Sequence, residues 1–491
     1  MIINNFHLNK KIDAKKNSQL LINFTKQFLS SKYMNINLKL ISEIINIPKN
    51  ILQNECKHYL QYNFDNKLGK YNSNFFYINA VKNFFKFIFF FSWIIFFSNK
   101  NKNAKKIYQL IIDDLDHEHS ITTFKELEKY FPQTLFITTL KKFDKKNNYF
   151  FFNNYKNLNV KINLKFCYNY FLYLPFKFLY LSFKSKNNLF GINLHILKIY
   201  FKYSSVFENN KAKFLIQERY YRSSSLKNYL FKDSGGKNTF LTQRVLGIYS
   251  SFGMFVNCDY FLSLGKRTAD IILNQDSQIK KIIPIGSLSL HQSYFNSKIN
   301  LDELASYDLL DLESRMGNFN DVYDSFWNDW YFKFSWLSKL SIRNPKLKIA
   351  IKIRPEHISV MENKDIKNAI DNSSIKIIDG SEYNFKFNTY HYAFKAKSLC
   401  TWISTLGFEM IGHGKKCFYI NPEMKNSSFK ELEILKKFTI DNFVDFEKKI
   451  LEEISNVENN KKNYFEDDFC VKSENIYQNL AKIIKDKDHS V

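Results

Sequence analysis

Ser398–Pro422, SLCTWISTLGFEMIGHGKKCFYINP, decides how this chain is read. Ser398 to Ile403 is an apolar run of strand length, and Cys417 to Ile420 is another. Between them lie a turn, a helix opening at Ser404–Thr405 and a glycine-rich helix end at Gly412 to Gly414. A strand that turns directly into a helix presents backbone N–H groups and the positive end of a helix dipole, a ready site for phosphate. Ser404 and Thr405 add capping hydroxyls, and Gly407 permits close approach of a ligand to the backbone. Glu409 falls one turn into the helix, within reach of a ribose hydroxyl. The expectation is a nucleotide-sugar site.

Working outward, Leu347 to Ile353 reads as a strand that ends in Lys352-Ile353-Arg354-Pro355. Alternation along a strand points Lys352 and Arg354 to one side, and open α/β sheets bind ligands at the C-terminal edge. Two cations there suit a diphosphate, Arg354 with bidentate contact. Two further apolar strands end in small-residue turns, Cys258 to Leu264 at Gly265-Lys266 and Ile282 to Ile285 at Gly286-Ser287. Both turns are candidate ligand-facing loops, with Lys266 adding positive charge.

Strands also read at Ile107 to Leu115, Thr134 to Leu140, Ala212 to Gln217 and Thr239 to Thr242, each separated by helical segments. This alternation predicts parallel sheets, so the fold class is α/β with two Rossmann-like domains facing a cleft, plus extra N-terminal helical and aromatic segments. The expected organisation is an N-terminal helical region over 1–104, a first Rossmann-like domain over 105–250, a second over 251–456, and a helical tail over 457–491. The first domain carries an acidic cluster, Asp113, Asp114, Asp116 and Glu118 with His117 and His119, just past a strand. Such a cluster suits a general base or a divalent cation. Glu218, directly after the strand ending at Gln217, is the other candidate base, with Arg219 and Arg222 beside it.

Phe87 to Ser98, FIFFFSWIIFFS, is apolar throughout and flanked by lysines on both sides. Twelve such residues fall short of the roughly 20 that span a bilayer. Two readings remain open for the 84–98 segment: a membrane-interfacial helix with lysines at the headgroups, or a buried core helix. A second aromatic stretch, Phe166 to Phe183, fits either a membrane surface or a cover for the sheet.

Composition sets the outer limits. With 45% hydrophobic and 18% aromatic residues, 491 residues supply more than one core. The net charge of +25 comes from lysines scattered through every segment, without a nucleic-acid recognition motif, so nucleic acid is not the expected partner. An anionic membrane surface suits the same charge. No two of the six cysteines lie within a CxxC spacing, which points to buried thiols in a reducing, cytoplasmic compartment.

With these pieces placed, the chain resembles the surface-carbohydrate-biosynthesis transferases, GT-B-like proteins related in pattern to capsule polysaccharide and polyglycerophosphate transferases. The resemblance is carried by STLGFEMIGHGKKCFYI (404–420), KIRPE (352–356), DYFLSLG (259–265) with IPIGS (283–287), and LIQERYY (215–221) followed by FLTQR (240–244). It covers roughly residues 210 to 455. It implies a bacterial glycosyltransferase that moves a sugar from a nucleotide-sugar donor to a surface polysaccharide or lipid-linked glycan, peripheral on the cytoplasmic face of the inner membrane. Ser404, Thr405 and Gly407 would face phosphate, Glu409 the ribose, and Arg354 would balance the leaving diphosphate or monophosphate. Many relatives place a histidine where this chain has Arg244, which shifts the expected base to Glu218. Such enzymes generally need no bound metal or other cofactor. A nucleotide-sugar epimerase or hydrolase of the same fold, and a non-catalytic glycan-assembly protein at the membrane, are the alternatives.

Overall fold

The structure is a computed structural model and describes residues 14–65, 70–71, 76–97, 106–143, 146–152, 162–244, 255–270, 276–297, 299–312, 324–353, 364–371, 373–378, 387–402, 404–421, 433–455 and 466–488. It forms two compact units that are each discontinuous in sequence. One comprises Lys15–Leu262, Ile272–Ile283 and Tyr477–Val491; the other comprises Met1–Ala14, Ser263–Ile271 and Pro284–Ile476. The N-terminal helices therefore belong to the same unit as the first sheet, and residues 466–488 contribute to both units.

The first unit is built on a seven-stranded sheet of β1 (Lys106–Leu115), β2 (Thr134–Thr138), β3 (Tyr149–Phe151), β4 (Asn210–Gln217), β5 (Asn238–Thr242), β6 (Asn257–Ser263) and β7 (Gln278–Pro284). Its order is β3-β2-β1-β4-β5-β6-β7. The pairings from β3 through β6 are parallel, with Ile111 beside both Leu135 and Leu215. A parallel sheet is covered on both faces, which is why β2 and the end of β4 are buried at every position. The register slips between Ile112 and Leu115, and Asp114 takes a positive φ of 68°. Such a bulge re-aims side chains beside a functional edge.

Helices α1 (Ala14–Ser30), α2 (Lys32–Ile45), α3 (Lys49–Tyr62), α4 (Asn79–Phe97), α5 (Glu118–Lys125), α6 (Leu174–Ser185), α7 (Leu189–Asn209) and α8 (Ser225–Asp233) belong to this unit. Phe87, Phe91 and Ile94 of α4 share a core with Phe178 of α6, Ile196 of α7 and Ile111 of the sheet. Of the apolar segment expected over 84–98, residues 84–97 are part of a 19-residue helix with one face in the core, and Ser98 lies outside the described residues. Among the described residues α4 is the one helix long and apolar enough to cross a membrane by length and composition.

The second unit holds β8 (Leu309–Leu312), β9 (Ile349–Lys352), β10 (Lys376–Ile378), β11 (Ser398–Thr401), β12 (Cys417–Ile420) and β13 (Thr439–Ile440). The sheet order is β10-β9-β8-β11-β12-β13, all parallel, with Leu310 between Ala350 and Leu399. Its helices are α9 (Asp324–Arg343), α10 (Lys364–Asp371), α11 (Thr389–Lys395), α12 (Thr405–Gly412), α13 (Phe443–Ser455) and α14 (Glu466–Phe469); α15 (Ile476–Asp486) starts at the boundary and lies almost wholly in the first unit. β8 holds a fully buried ion pair, Asp311 with Lys333 of α9 at 2.6 Å. Burial pushes the Asp311 carboxyl up from its ordinary value although Lys333 opposes the shift.

Both sheets follow the same pattern: the first three strands run outward in one direction and the remaining ones, four in the first sheet and three in the second, in the other. This is the doubly wound α/β class, with switch points between β1 and β4 and between β8 and β11. Ligands of such sheets bind outside the carboxyl ends of the strands at the switch point.

Candidate functional site

At the switch point of the second unit, β8 ends at Leu312 and β11 at Thr401, and Ser404 opens α12 three residues later. Ser404 is the N-cap and accepts from the Leu406 N–H at 3.3 Å, while its own carbonyl accepts from the Gly407 N–H at 3.1 Å and from the Tyr419 hydroxyl at 3.0 Å. Two of the three first-turn N–H groups are therefore taken by Ser404 itself. Thr405, half-buried, holds the first helical position.

Gly407 has a different reason from the one expected of it. A Cβ there would stand 2.4 Å from the Tyr419 hydroxyl, so the close approach is made by the chain's own Tyr419. Gly265 and Gly286, expected in ligand-facing loops, likewise make room for the chain. A Cβ at Gly265 would meet the Asp468 carbonyl at 2.4 Å, and at Gly286 (φ 91°) the Val471 carbonyl at 2.3 Å. Gly412 would collide with Cys470 in the same way. Residues 466–471 thus lie in a groove of three glycines. The Lys266 N–H donates to Asp467 O, and the Lys266 ammonium pairs with the Asp467 carboxylate at 3.0 Å. That cation is therefore committed to an acid of the same strap.

The structure brings Glu409 and Ser287, 122 residues apart, into direct hydrogen bond, with Ser287 donating. Tyr390 of α11 donates to both carboxylate oxygens, at 3.1 and 3.3 Å. Tyr390 carried no signal in the sequence; its partner is set by tertiary packing. Burial pushes Glu409 up to about 7, although both donors favour the charged form. The sign follows directly. An unfolded Glu409 ionises near its ordinary 4.5, so the folded state binds the extra proton between about 4.5 and 7 and loses stability as pH rises through that window. Glu409→Gln, which mimics the protonated acid, is expected to raise unfolding stability by roughly 3 kcal/mol at pH 8 and by little at pH 4.5. Urea melts at the two pH values measure it; an equal effect at both would contradict the buried-acid assignment.

Lys352 ends β9, buried, and its ammonium donates to the Ile353 carbonyl at 3.0 Å. Arg354, its expected companion, lies outside the described residues.

In the first unit, the switch-point strands β1 and β4 end side by side, with Asp113 opposite Gln217. Lys227 of α8 pairs with Asp113 at 3.0 Å and Asp114 at 3.1 Å, and the Tyr203 hydroxyl donates to Asp113 at 2.7 Å. Burial works against both carboxylates; at Asp113 Lys227 and Lys202 prevail and lower it, whereas at Asp114 burial and the repulsion of Asp113 raise it. Asp113 and Asp114, two of the acids expected to serve as a general base or cation site, are thus held by a buried ammonium. Among the described residues no group of three or more His, Cys, Asp or Glu side chains is arranged to hold a metal ion. The helix that carries Lys227 is itself fixed by Glu55, which accepts from Ser224 Oγ at 2.7 Å and Leu226 N–H at 3.0 Å. Burial opposes this charge, but the hydrogen bond from His195 and the nearby His58 overcome it and hold Glu55 at about 2.

Glu218 follows β4 and is buried. Its Oε1 accepts from Ser120 Oγ and Arg244 Nη1, each at 2.5 Å, and its Oε2 is 3.4 Å from Arg219 Nε. Arg219 and Arg222 both bind Asp116. Glu218 and Arg244, predicted separately, are therefore one ion pair at the carboxyl edge of the sheet. His119 is lowered from its ordinary value, first by burial and then by the positive Arg244, so it is a neutral imidazole at pH 7. The edge therefore offers a positioned carboxylate, a guanidinium and a neutral imidazole.

No protein-family model matches this chain, and no curated protein matches it in sequence. Among solved structures it is similar in layout to the UDP-GlcNAc 2-epimerase of Methanocaldococcus jannaschii, with 12% identity, 77% of this chain and 99% of that chain covered, and a TM-score of 0.45. The UDP-N-acetylglucosamine 2-epimerase of Rickettsia bellii gives 12% identity over 79% of this chain and 97% of that chain, with a TM-score of 0.44. The wall teichoic acid polymerase TagF gives 12% identity over 84% and 99%, with a TM-score of 0.38. At such scores, function has to be argued from this chain's own residues.

Proposed function

We propose that the protein is a GT-B-like glycosyltransferase that moves a sugar from a nucleotide-sugar donor to a surface polysaccharide or lipid-linked glycan acceptor. The observation that carries the reading is the gathering of Ser404, Thr405, Glu409 and Ser287 around α12, directly after the switch-point strand of a doubly wound sheet. Donor phosphate would take the first-turn N–H groups in competition with the Ser404 side chain, and the helix dipole would favour the departing diphosphate. A ribose would compete for Glu409 with the hydroxyls of Ser287 and Tyr390. In the first unit, Glu218 would accept the proton of the attacking acceptor hydroxyl, with Arg244 and Ser120 fixing the carboxylate's orientation. Epimerisation or hydrolysis of a nucleotide sugar would use the same donor wall, and the reaction product distinguishes the three.

Thermal-shift and calorimetric titration with a panel of nucleotides and nucleotide sugars tests the reading. One nucleotide sugar is expected to stabilise the protein, and Ser404→Ala with Thr405→Val to weaken that donor by about tenfold or more, the loss of hydrogen bonds to a charged group. Stabilisation by no donor, or unchanged affinity in the double variant, would overturn it. Chromatography of the products then separates a lengthened glycan from an epimerised or hydrolysed donor.

A further inference from the structure

α4 and α6 present to solvent the kind of surface that water-soluble helices normally bury. Phe85, Phe89 and Phe96 of α4 are 67%, 68% and 78% exposed. They recur at helical spacing on the face opposite Phe87, Phe91 and Ile94, which are locked into the core of the sheet. Helix α4 therefore lies along its unit, and its outward face is apolar too. Helix α6 repeats the arrangement, with Phe176 and Tyr180 59% and 54% exposed and Phe183 beside them, while Phe178 and Leu181 are buried. The two stripes adjoin: the Phe84 ring is 5.7 Å from Phe176 and 5.6 Å from Phe85, and Tyr77 is 5.5 Å from Phe183. A contiguous apolar patch of this kind marks an interaction surface.

Charge identifies the occupant. Neither 66–112 nor 145–207 contains a single Asp or Glu, whereas Lys82, Lys86, Lys165, Lys184 and Lys186 are exposed around the patch. A second copy of this chain would bring like charges together across the contact. An anionic bilayer offers the opposite charge, an apolar interior for the phenylalanines and an interface suited to tyrosine rings. We propose that the outer faces of α4 and α6 form one docking surface that lies in the interface of an anionic lipid bilayer, without spanning it. This inference does not depend on the transferase reading, because it concerns neither switch point.

Flotation of the full chain with phosphatidylglycerol–phosphatidylcholine vesicles, in the absence of any nucleotide sugar, tests it. Binding is expected to fall at least tenfold on pure phosphatidylcholine and at high salt. It is expected to fall by as much in Phe85→Asp/Phe89→Asp and in Phe176→Asp/Tyr180→Asp, with unchanged circular dichroism and cooperative melting. Quenching of tryptophan fluorescence by brominated lipid, diminished in Trp93→Phe, reads contact of α4 without adding charge to the patch. No binding to anionic vesicles, wild-type binding by both folded variants, or a wild-type dimer that the variants disperse without any vesicle binding would each overturn the proposal.

Discussion

Glu218→Gln is expected to lower turnover by about 10²–10⁴-fold, the span of a lost general base, while donor affinity stays within about twofold. Glutamine keeps the shape of the side chain and an oxygen able to accept from Ser120 and Arg244, so the pocket should survive the change. What disappears is the carboxylate that the proposed transfer would use as its proton acceptor. The geometry assigns the two oxygens separate tasks, Oε1 committed to Ser120 and Arg244 and Oε2 near Arg219 Nε. A turnover loss below about tenfold would remove Glu218 from the reaction and transfer the base to His119, which is neutral at pH 7. Arg244→Gln separates positioning from chemistry. It should cost less than Glu218→Gln, since the carboxylate stays and loses only one of the two donors on its Oε1.

Lys227→Met is expected to destabilise the first unit by about 3–5 kcal/mol, the usual cost of stranding a buried charge. Two carboxylates, Asp113 and Asp114, would lose the ammonium they share at 3.0 and 3.1 Å. Lys202 is near enough to act on both and places the result toward the lower end. The sign with pH is opposite to that of an intact ion pair. Stranded carboxylates have folded pKa values above their unfolded ones, so the defect is present at neutral pH and eases as pH falls and they protonate. Adding Asp113→Asn and Asp114→Asn should recover much of the loss by removing the stranded charges. Chemical denaturation of the single and triple variants at pH 5 and pH 8 reads all three effects. A pH-independent loss, or no recovery in the triple variant, would show that Lys227 contributes packing rather than charge.

The parallel sheets were legible because their strands are near-continuous apolar runs between turns, as in Ile107 to Leu115 and Cys417 to Ile420. The central strand of the second sheet was not. β8 is four residues, LLDL, and its Asp311 reads as a surface residue until Lys333 is brought against it from α9. Short β3 and β13 escaped for the same want of length. At the sites, residue types were legible and partners were not. Ser287 and Glu409 were each singled out, but only the fold shows that they bond to one another and to Tyr390. Glycines misled most. Gly265, Gly286 and Gly407 have the composition of ligand loops, and each instead accommodates atoms of the chain itself.

That accommodation bears on how the molecule can be made. Residues 466–471 complete the glycine groove of one unit, and Tyr477 onward belongs to the other, where the Tyr477 hydroxyl donates to the Thr123 carbonyl at 2.7 Å. During synthesis, then, neither unit can finish when its own sheet emerges from the ribosome; both wait for the same late segment. A fragment ending before residue 466 would open the groove of three glycines in one unit and remove a helix from the other, so one truncation leaves both units short of a part.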